Sequence, residues 1–258
     1  MISEEFNFIY IHIIKTGGTS IEKVLKKKHV KQYRHPLKIR GQVFNGIPRV
    51  IPRSKPPVYD FSLIGRWSYD VSKIGAKAMW EYEREKKSHI SASQYKQFLT
   101  NENRLDIWQT YYKFSVVRNP FSYMVSLFKM LNGPYFGRGK KPHYENEIPS
   151  EFSEFVKKFT DELNPLFRKE DQHMWTQTDW LYDENNNCLV DKVGKLENLQ
   201  NDFNEICEKL NWKQIKVPKI NASKIKIPYT DYYTDELMEL VGNYYHNDIV
   251  NFNYKFGE

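Results

Sequence analysis

Cysteine is almost absent: the 258 residues contain two, Cys188 and Cys207. Two thiols at that separation form neither a disulfide framework nor a zinc-ligand pair. Cys207 shares a helical face with Leu199, Phe203, Ile206 and Leu210, which marks it as a buried, inert thiol. No stretch reaches the roughly 18 uninterrupted apolar residues that a membrane helix needs. The opening MISEEFNF is acidic and lacks the apolar core of a signal peptide. These features lead us to expect a cytoplasmic protein of a reducing compartment. Internal repeats and low-complexity tracts are also missing, which removes solenoids and linker-like chains.

What is present argues for an ordered enzyme-sized domain. The composition is 40% hydrophobic and 16% aromatic, enough for a full core. The length suits a single α/β domain over residues 1–258. A formal charge of +7 favours anionic partners: nucleic acid, acidic membrane, nucleotides, or sulfated and carboxylated glycans. Charge alone does not choose among them.

Along the chain, strand-like and helix-like patterns alternate, which predicts an α/β fold with a central parallel sheet flanked by helices. Residues 6–14 are apolar at nearly every position, as in a strand covered on both faces; His12 lies inside this run and is expected in a core or supporting place. Ile21, Val24 and Leu25 then recur at helical spacing after Thr19 and Ser20. Five prolines between 36 and 57 predict a long irregular loop within 33–80, and EYEREKK at 81–87 reads as a solvated helix face. FSVV at 114–117 is a second buried strand, ending at RNPF, where Asn119 can cap and Pro120 can open the next helix. Phe152, Phe155, Val156, Phe159 and Leu163 mark one amphipathic helix. Leu237, Leu240, Val241, Tyr244 and Tyr245 mark another, beginning near Thr234.

Between the first strand and the first helix stands KTGGTS, residues 15–20. A buried strand running through a glycine-rich turn into a helix is an anion-binding arrangement. The helix start offers free N–H groups and partial positive charge, and Gly17 and Gly18 let the backbone approach. Lys15 adds a full charge; Thr16, Thr19 and Ser20 add hydroxyls. The nucleoside-triphosphate loop places its lysine after the glycines, whereas here it comes before them. CLVD at 188–191 is the one segment similar to the strand-and-aspartate of ATPases.

HIIKTGGTS resembles the 5′-phosphosulfate loop of sulfotransferases that use 3′-phosphoadenosine 5′-phosphosulfate (PAPS). The carbohydrate sulfotransferases and their bacterial and viral relatives are the most similar branch, with Ile14 in place of a proline. FSVVRNPFSYMVSLF, residues 114–128, resembles that family's 3′-phosphate site. The resemblance assigns the phosphate to Arg118 at the strand end and Ser126 on the helix. An oxyanion could reach both, since Pro120 to Ser126 rises only about 9 Å along a helix. KSHISASQY (87–95), QTDWL followed by GKLENL, and INASK leading to DIVNFNY are similar to further family segments.

The resemblance implies sulfuryl transfer from PAPS to a hydroxyl, of a carbohydrate acceptor, without a metal ion, a nucleic-acid partner or a membrane span. Lys15 would stabilise the leaving 5′-phosphate oxygen and His89, in SHISA, would take the acceptor proton. His173, His143, Glu22 and Glu197 are alternative bases, Glu197 more naturally a structural acceptor. Asn221, Ser223 and Lys224 would contact the nucleotide. Two rival readings remain. A nucleoside-triphosphate-dependent kinase would require magnesium–ATP; a non-catalytic polyanion-binding module would show steep salt dependence and indifference to nucleotide. Neither requires the Arg118–Ser126 pair.

Overall fold

The computed structural model describes residues 1–32, 37–39, 42–44, 89–133, 148–161, 174–220 and 227–258; for 26–44 only the backbone is considered. The rest of the 33–80 loop, the 81–87 stretch, His143, His173, Asn221, Ser223, Lys224 and Lys226 lie outside them.

The sheet explains the layering. Its strands are β1 (Ile2–Ser3), β2 (Phe8–Ile11), β5 (Tyr112–Val117) and β6 (Lys192–Lys195), in the order β1-β2-β5-β6. β2, β5 and β6 run parallel, with Tyr10 opposite Phe114 and Val117 opposite Lys195. The expected parallel sheet is therefore its central part, and the whole is mixed, because β1 pairs antiparallel with β2. The turn between them includes Asn7 in a left-handed conformation (φ 51°), which lets the chain double back within a few residues. Every residue of β2 is buried. Phe8 and Tyr10 pack on one side with Phe114, Val116, Ile21, Leu25, Phe203 and Ile206. Ile9 and Ile11 face the other, with Val117, Ile90, Leu99 and Trp180. A strand flanked by helices on both faces has no side to leave polar, so its sequence shows no alternation.

The helices follow their local signals. On the first side lie α1 (Gly18–Gln32) and α7 (Leu199–Lys209). Cys207 is buried in the same layer. On the second lie α2 (Ala92–Asn101), α3 (Leu105–Thr110) and α6 (Gln177–Leu181). Ser91 and Gln94 form a capping box on α2, and Thr176 and Asp179 form one on α6. A third cluster, rich in aromatic rings, joins α4 (Pro120–Leu131), α5 (Phe152–Thr160) and α8 (Asp235–Tyr244). Asn119 caps α4 by accepting from the Phe121 N–H at 3.1 Å, and Pro120 occupies its first turn. A short helix α9 (His246–Asn251) closes the described fold. Within the loop expected to be irregular, β3 (Leu37–Ile39) pairs antiparallel with β4 (Gln42–Phe44). The sequence LKIRGQVF explains this: two extended tripeptides flank an Arg-Gly dipeptide of hairpin length. Among the described residues no helix is long and apolar enough to cross a membrane.

CLVD does not form an ATPase-like strand. Cys188 bridges back to Tyr182, and β6 begins only at Lys192. Asp191 accepts from the backbone N–H of Lys113 at 2.7 Å and pairs with the Lys113 ammonium at 3.0 Å. It therefore stands at the amino edge of the sheet, the opposite edge from Lys15.

One buried charge ties α9 to α6. Asp248 is wholly buried and accepts from Gln177 N–H at 2.8 Å and Thr178 N–H at 2.7 Å. Burial pushes its carboxyl up to about 6 from 3.8, against the downward pull of its donors. A carboxyl whose folded pKa is raised binds its proton more readily in the native state than in the unfolded one. Stability from this group therefore grows as pH falls from about 6 towards 4, and is absent above 6. In urea unfolding, the stability of the wild type relative to Asp248→Asn should rise by about 2 kcal/mol between pH 7 and pH 4. A pH-independent difference would refute the assignment.

Candidate active site

Parallel strands end together, and the carboxyl edge of this sheet collects the residues singled out above. β2 stops at Ile11 and the chain turns through residues 12–17 into α1. The turn needs left-handed backbone at two places, Lys15 (φ 62°) and Gly17 (φ 84°). Glycine takes that conformation freely, whereas a lysine held there is strained, as is common where a backbone is shaped for a ligand. A side chain at Gly17 would also meet Leu196 Cδ1 at 2.7 Å.

Gly18 answers a different need. A Cβ there would lie 1.8 Å from His12 Nε2, so only glycine admits the imidazole over the start of α1. The ring cannot swing away cheaply. Its Nδ1 donates to Glu22 Oε1 at 2.8 Å, and it stacks on Tyr10 with centroids 5.9 Å apart. His12 thus has the supporting place expected of it, and Glu22 is occupied as its partner.

The hydroxyls divide. Thr16 is buried and donates to the Ile13 carbonyl at 2.9 Å, so its hydrogen closes the turn. Thr19 is exposed. Ser20 Oγ accepts from the Ile220 N–H at 3.2 Å, which leaves its own hydrogen to donate. Ile220 immediately precedes the undescribed segment that begins at Asn221. The backbone is the larger resource. Among the described residues, no group accepts from the N–H of Lys15, Thr16, Gly17, Gly18 or Thr19. Successive unpaired N–H groups at a helix start make a concave anion seat.

Two cations border that seat. Burial, and then the neighbouring Arg118 charge, lower the Lys15 ammonium below its usual range. Arg118 follows the last residue of β5, the strand beside β2, and its Nη1 donates to the Lys15 carbonyl at 3.4 Å. Burial lowers Arg118 as well, partly offset by Glu197, Tyr123 and Tyr254. Two half-buried cations whose charge burial opposes are stabilised by an anion between or beside them.

Arg118 Nε donates to Ser122 Oγ at 2.7 Å, not to Ser126. Ser126 is half-buried on α4, one turn beyond Ser122 on the same face. Sequence reasoning missed Ser122, although the i, i+4 spacing from Arg118 would have found it. It also missed Gln177, which bonds both backbone groups of Arg118. Glu197 accepts from the Asn119 N–H at 2.8 Å and from the Tyr254 hydroxyl at 3.1 Å. It is committed to bracing the strand end.

His89 is brought to the same edge across a separation of 77 residues, its Nδ1 lying 3.3 Å from the His12 carbonyl. A carbonyl only accepts, so Nδ1 carries the hydrogen and Nε2 of the neutral ring keeps a lone pair. The His12 ring meets His89 edge-on at 4.9 Å, and the buried Trp180 meets it at 6.2 Å. The edge therefore joins an anion seat, two cations and an oriented imidazole: the parts of a group-transfer site in which a leaving oxyanion is stabilised while a hydroxyl loses its proton.

Comparison with known proteins decides the class. Residues 1–255 match the model described as the sulfotransferase family. The chain belongs to the sulfotransferase family. No curated protein and no solved structure matches it. A sulfotransferase moves a sulfuryl group from a nucleotide sulfate donor to an acceptor, and the edge just described is the candidate site for it. Among the described residues of this sulfotransferase, no cluster of three or more His, Cys, Asp or Glu side chains could hold a metal ion.

The packing of His12 on Gly18 is testable by itself. Gly18→Ala should destabilise the wild-type background by roughly 1–3 kcal/mol, as overpacking does. In a His12→Ala background the same substitution should cost less than about 0.5 kcal/mol, because the obstructing ring is gone. Equal costs in urea unfolding would show that the ring does not occupy this place.

Proposed function

We propose that the chain transfers the sulfuryl group of PAPS to a hydroxyl of a carbohydrate acceptor. The observation that carries this reading is the row of N–H groups from Lys15 to Thr19 that have no acceptor among the described residues, beside Arg118 on the neighbouring strand end. The donor set fits the nucleotide: a backbone seat and Lys15 for the 5′-phosphosulfate, and Arg118 with Ser126 for the 3′-phosphate. PAPS supplies an activated sulfuryl group and a phosphate leaving group. The acceptor oxygen bonds to sulfur as the bond from sulfur to the 5′-phosphate oxygen breaks. The loose, in-line character of such transfers leaves the protein mainly positioning and electrostatic work.

Lys15 and the loop N–H groups are directed at the charge that builds on the leaving oxygen. His89, with Nδ1 turned to a carbonyl, offers Nε2 to the acceptor proton. A single negative charge on the sulfuryl group makes a metal ion less necessary than in phosphoryl transfer. A net charge of +7 and abundant aromatic residues suit an anionic, polyhydroxylated glycan. Asp191 at the far edge of the sheet argues against a magnesium-dependent kinase.

Adenosine 3′,5′-bisphosphate at 100 times its dissociation constant should stabilise the protein by about 2.7 kcal/mol in thermal unfolding, and magnesium–ATP should not. Stabilisation by magnesium–ATP alone would sink the reading. With labelled PAPS and a panel of glycans, Lys15→Ala should lower kcat by about a hundredfold or more. His89→Ala should abolish turnover with bisphosphate affinity unchanged; full turnover would remove His89 as the base.

A further inference from the structure

Two of the recognised segments, QTDWL at 177–181 and DIVNFNY at 248–254, have no part in the chemistry above. They meet behind Arg118. The Gln177 amide bonds both backbone groups of that residue: Arg118 N–H donates to Oε1, and Nε2 donates to the Arg118 carbonyl, each at 2.7 Å. Arg118 lies one residue past the end of β5, where the sheet ladder no longer fixes its peptide. The amide takes the place of the missing ladder partner.

Gln177 is itself held. Its N–H and its Nε2 donate to Asp248 Oδ2 at 2.8 and 3.2 Å, while the Thr178 N–H and hydroxyl donate to Oδ1, both at 2.7 Å. Gln177 and Asp248 are both wholly buried. A carboxylate oxygen can only accept, so it forces Nε2 towards itself and Oε1 towards the Arg118 N–H. On the other flank, Glu197 and the Lys255 carbonyl hold Asn119 at 2.8 Å each. The side chain of Arg118 is steadied at Nε by Ser122, whose hydroxyl donates to the Asn119 carbonyl at 3.1 Å. With Nη1 also reaching the Lys15 carbonyl at 3.4 Å, the remaining hydrogens of the terminal guanidinium nitrogens are the part that can meet a ligand. Burying an amide and a carboxylate side by side, with no cation paired to the carboxylate among the described residues, is a costly way to join two helices that apolar side chains could join.

We propose that Gln177 and Asp248 are positioning residues for Arg118, fixing the strand-end peptide so that its guanidinium is aimed at the 3′-phosphate of the nucleotide. The inference rests on the reading of Arg118 as the ligand of that phosphate. Its signature is selective: losing the clamp penalises a nucleotide that carries the 3′-phosphate and spares one that does not. General loosening of the fold penalises both.

The test is isothermal titration of the full chain with adenosine 3′,5′-bisphosphate and with adenosine 5′-monophosphate. Gln177→Met keeps the length of the side chain and removes both amide bonds. It should weaken the bisphosphate by about tenfold or more and change the monophosphate less than about twofold. In an Arg118→Met background it should add nothing further. Should Gln177→Met fail to fold, Thr178→Val removes one bond to Asp248 at constant volume, and should give the same selectivity at about two- to threefold. A wild type that binds both nucleotides equally overturns the role given to Arg118, and this proposal with it. A wild type that prefers the bisphosphate, with variants that lose both ligands equally or neither, overturns the clamp alone.

Discussion

Two positive charges, Lys15 and Arg118, are held half-buried on adjacent parallel strand ends; burial works against both charges, and Arg118 adds to the cost at Lys15. An isolated pair of that kind would lose a proton or turn outward. The surrounding architecture prevents both. Arg118 is fastened by its backbone to Gln177 and by its Nε to Ser122, and Lys15 belongs to a turn whose dihedrals are set by the strand before it and the helix after it. The N–H groups of the loop add partial charge of the same sign. An anion beside them would make this arrangement favourable, so the proposed preference for an anionic ligand has an electrostatic basis as well as a family one.

The sheet topology makes that concentration possible. Parallel strands deliver all their carboxyl ends to one edge, and β2 and β5 are neighbours, so groups separated by about a hundred positions in sequence become contacts. His89 reaches the same edge from the layer of α2, resting on the His12 carbonyl and against Trp180. His12 links these parts. Its ring lies over Gly18, its Nδ1 is fixed by Glu22 and its carbonyl faces His89, so the anion seat and the imidazole share one support. The end of the chain returns to the same place, with Asp248, Tyr254 and Lys255 bracing the Arg118–Asn119 turn from behind.

Local signals carried much of this architecture. The unbroken apolar run of β2, Asn119 and Pro120 at the start of α4, and Thr234 before α8 each encode their element within a few residues, so each was legible. The strand–turn–helix that carries residues 15–20 was legible for the same reason, and the proposed anion loop rests on it. Local signals were silent where the answer depends on a distant partner. CLVD has strand composition but gives way to a strand beginning at Lys192, because the register of β6 is set by β5. The antiparallel β1 is two residues long and has no periodicity to detect.

The same boundary runs through the site. From the sequence alone came the strand–loop–helix that presents Lys15, the placing of Arg118 at a strand end, and the charge that calls for an anion, since all three depend on neighbours within one turn or strand. Tertiary structure decided that Ser122 rather than Ser126 meets Arg118 Nε, that Thr16 spends its hydroxyl on Ile13, and that His12 demands a glycine at 18. It alone brought Gln177, Glu197 and Asp248 to the strand end. These are matters of rotamer, hydrogen-bond direction and long-range contact, which arise only when the layers pack and each buried polar group must find a partner.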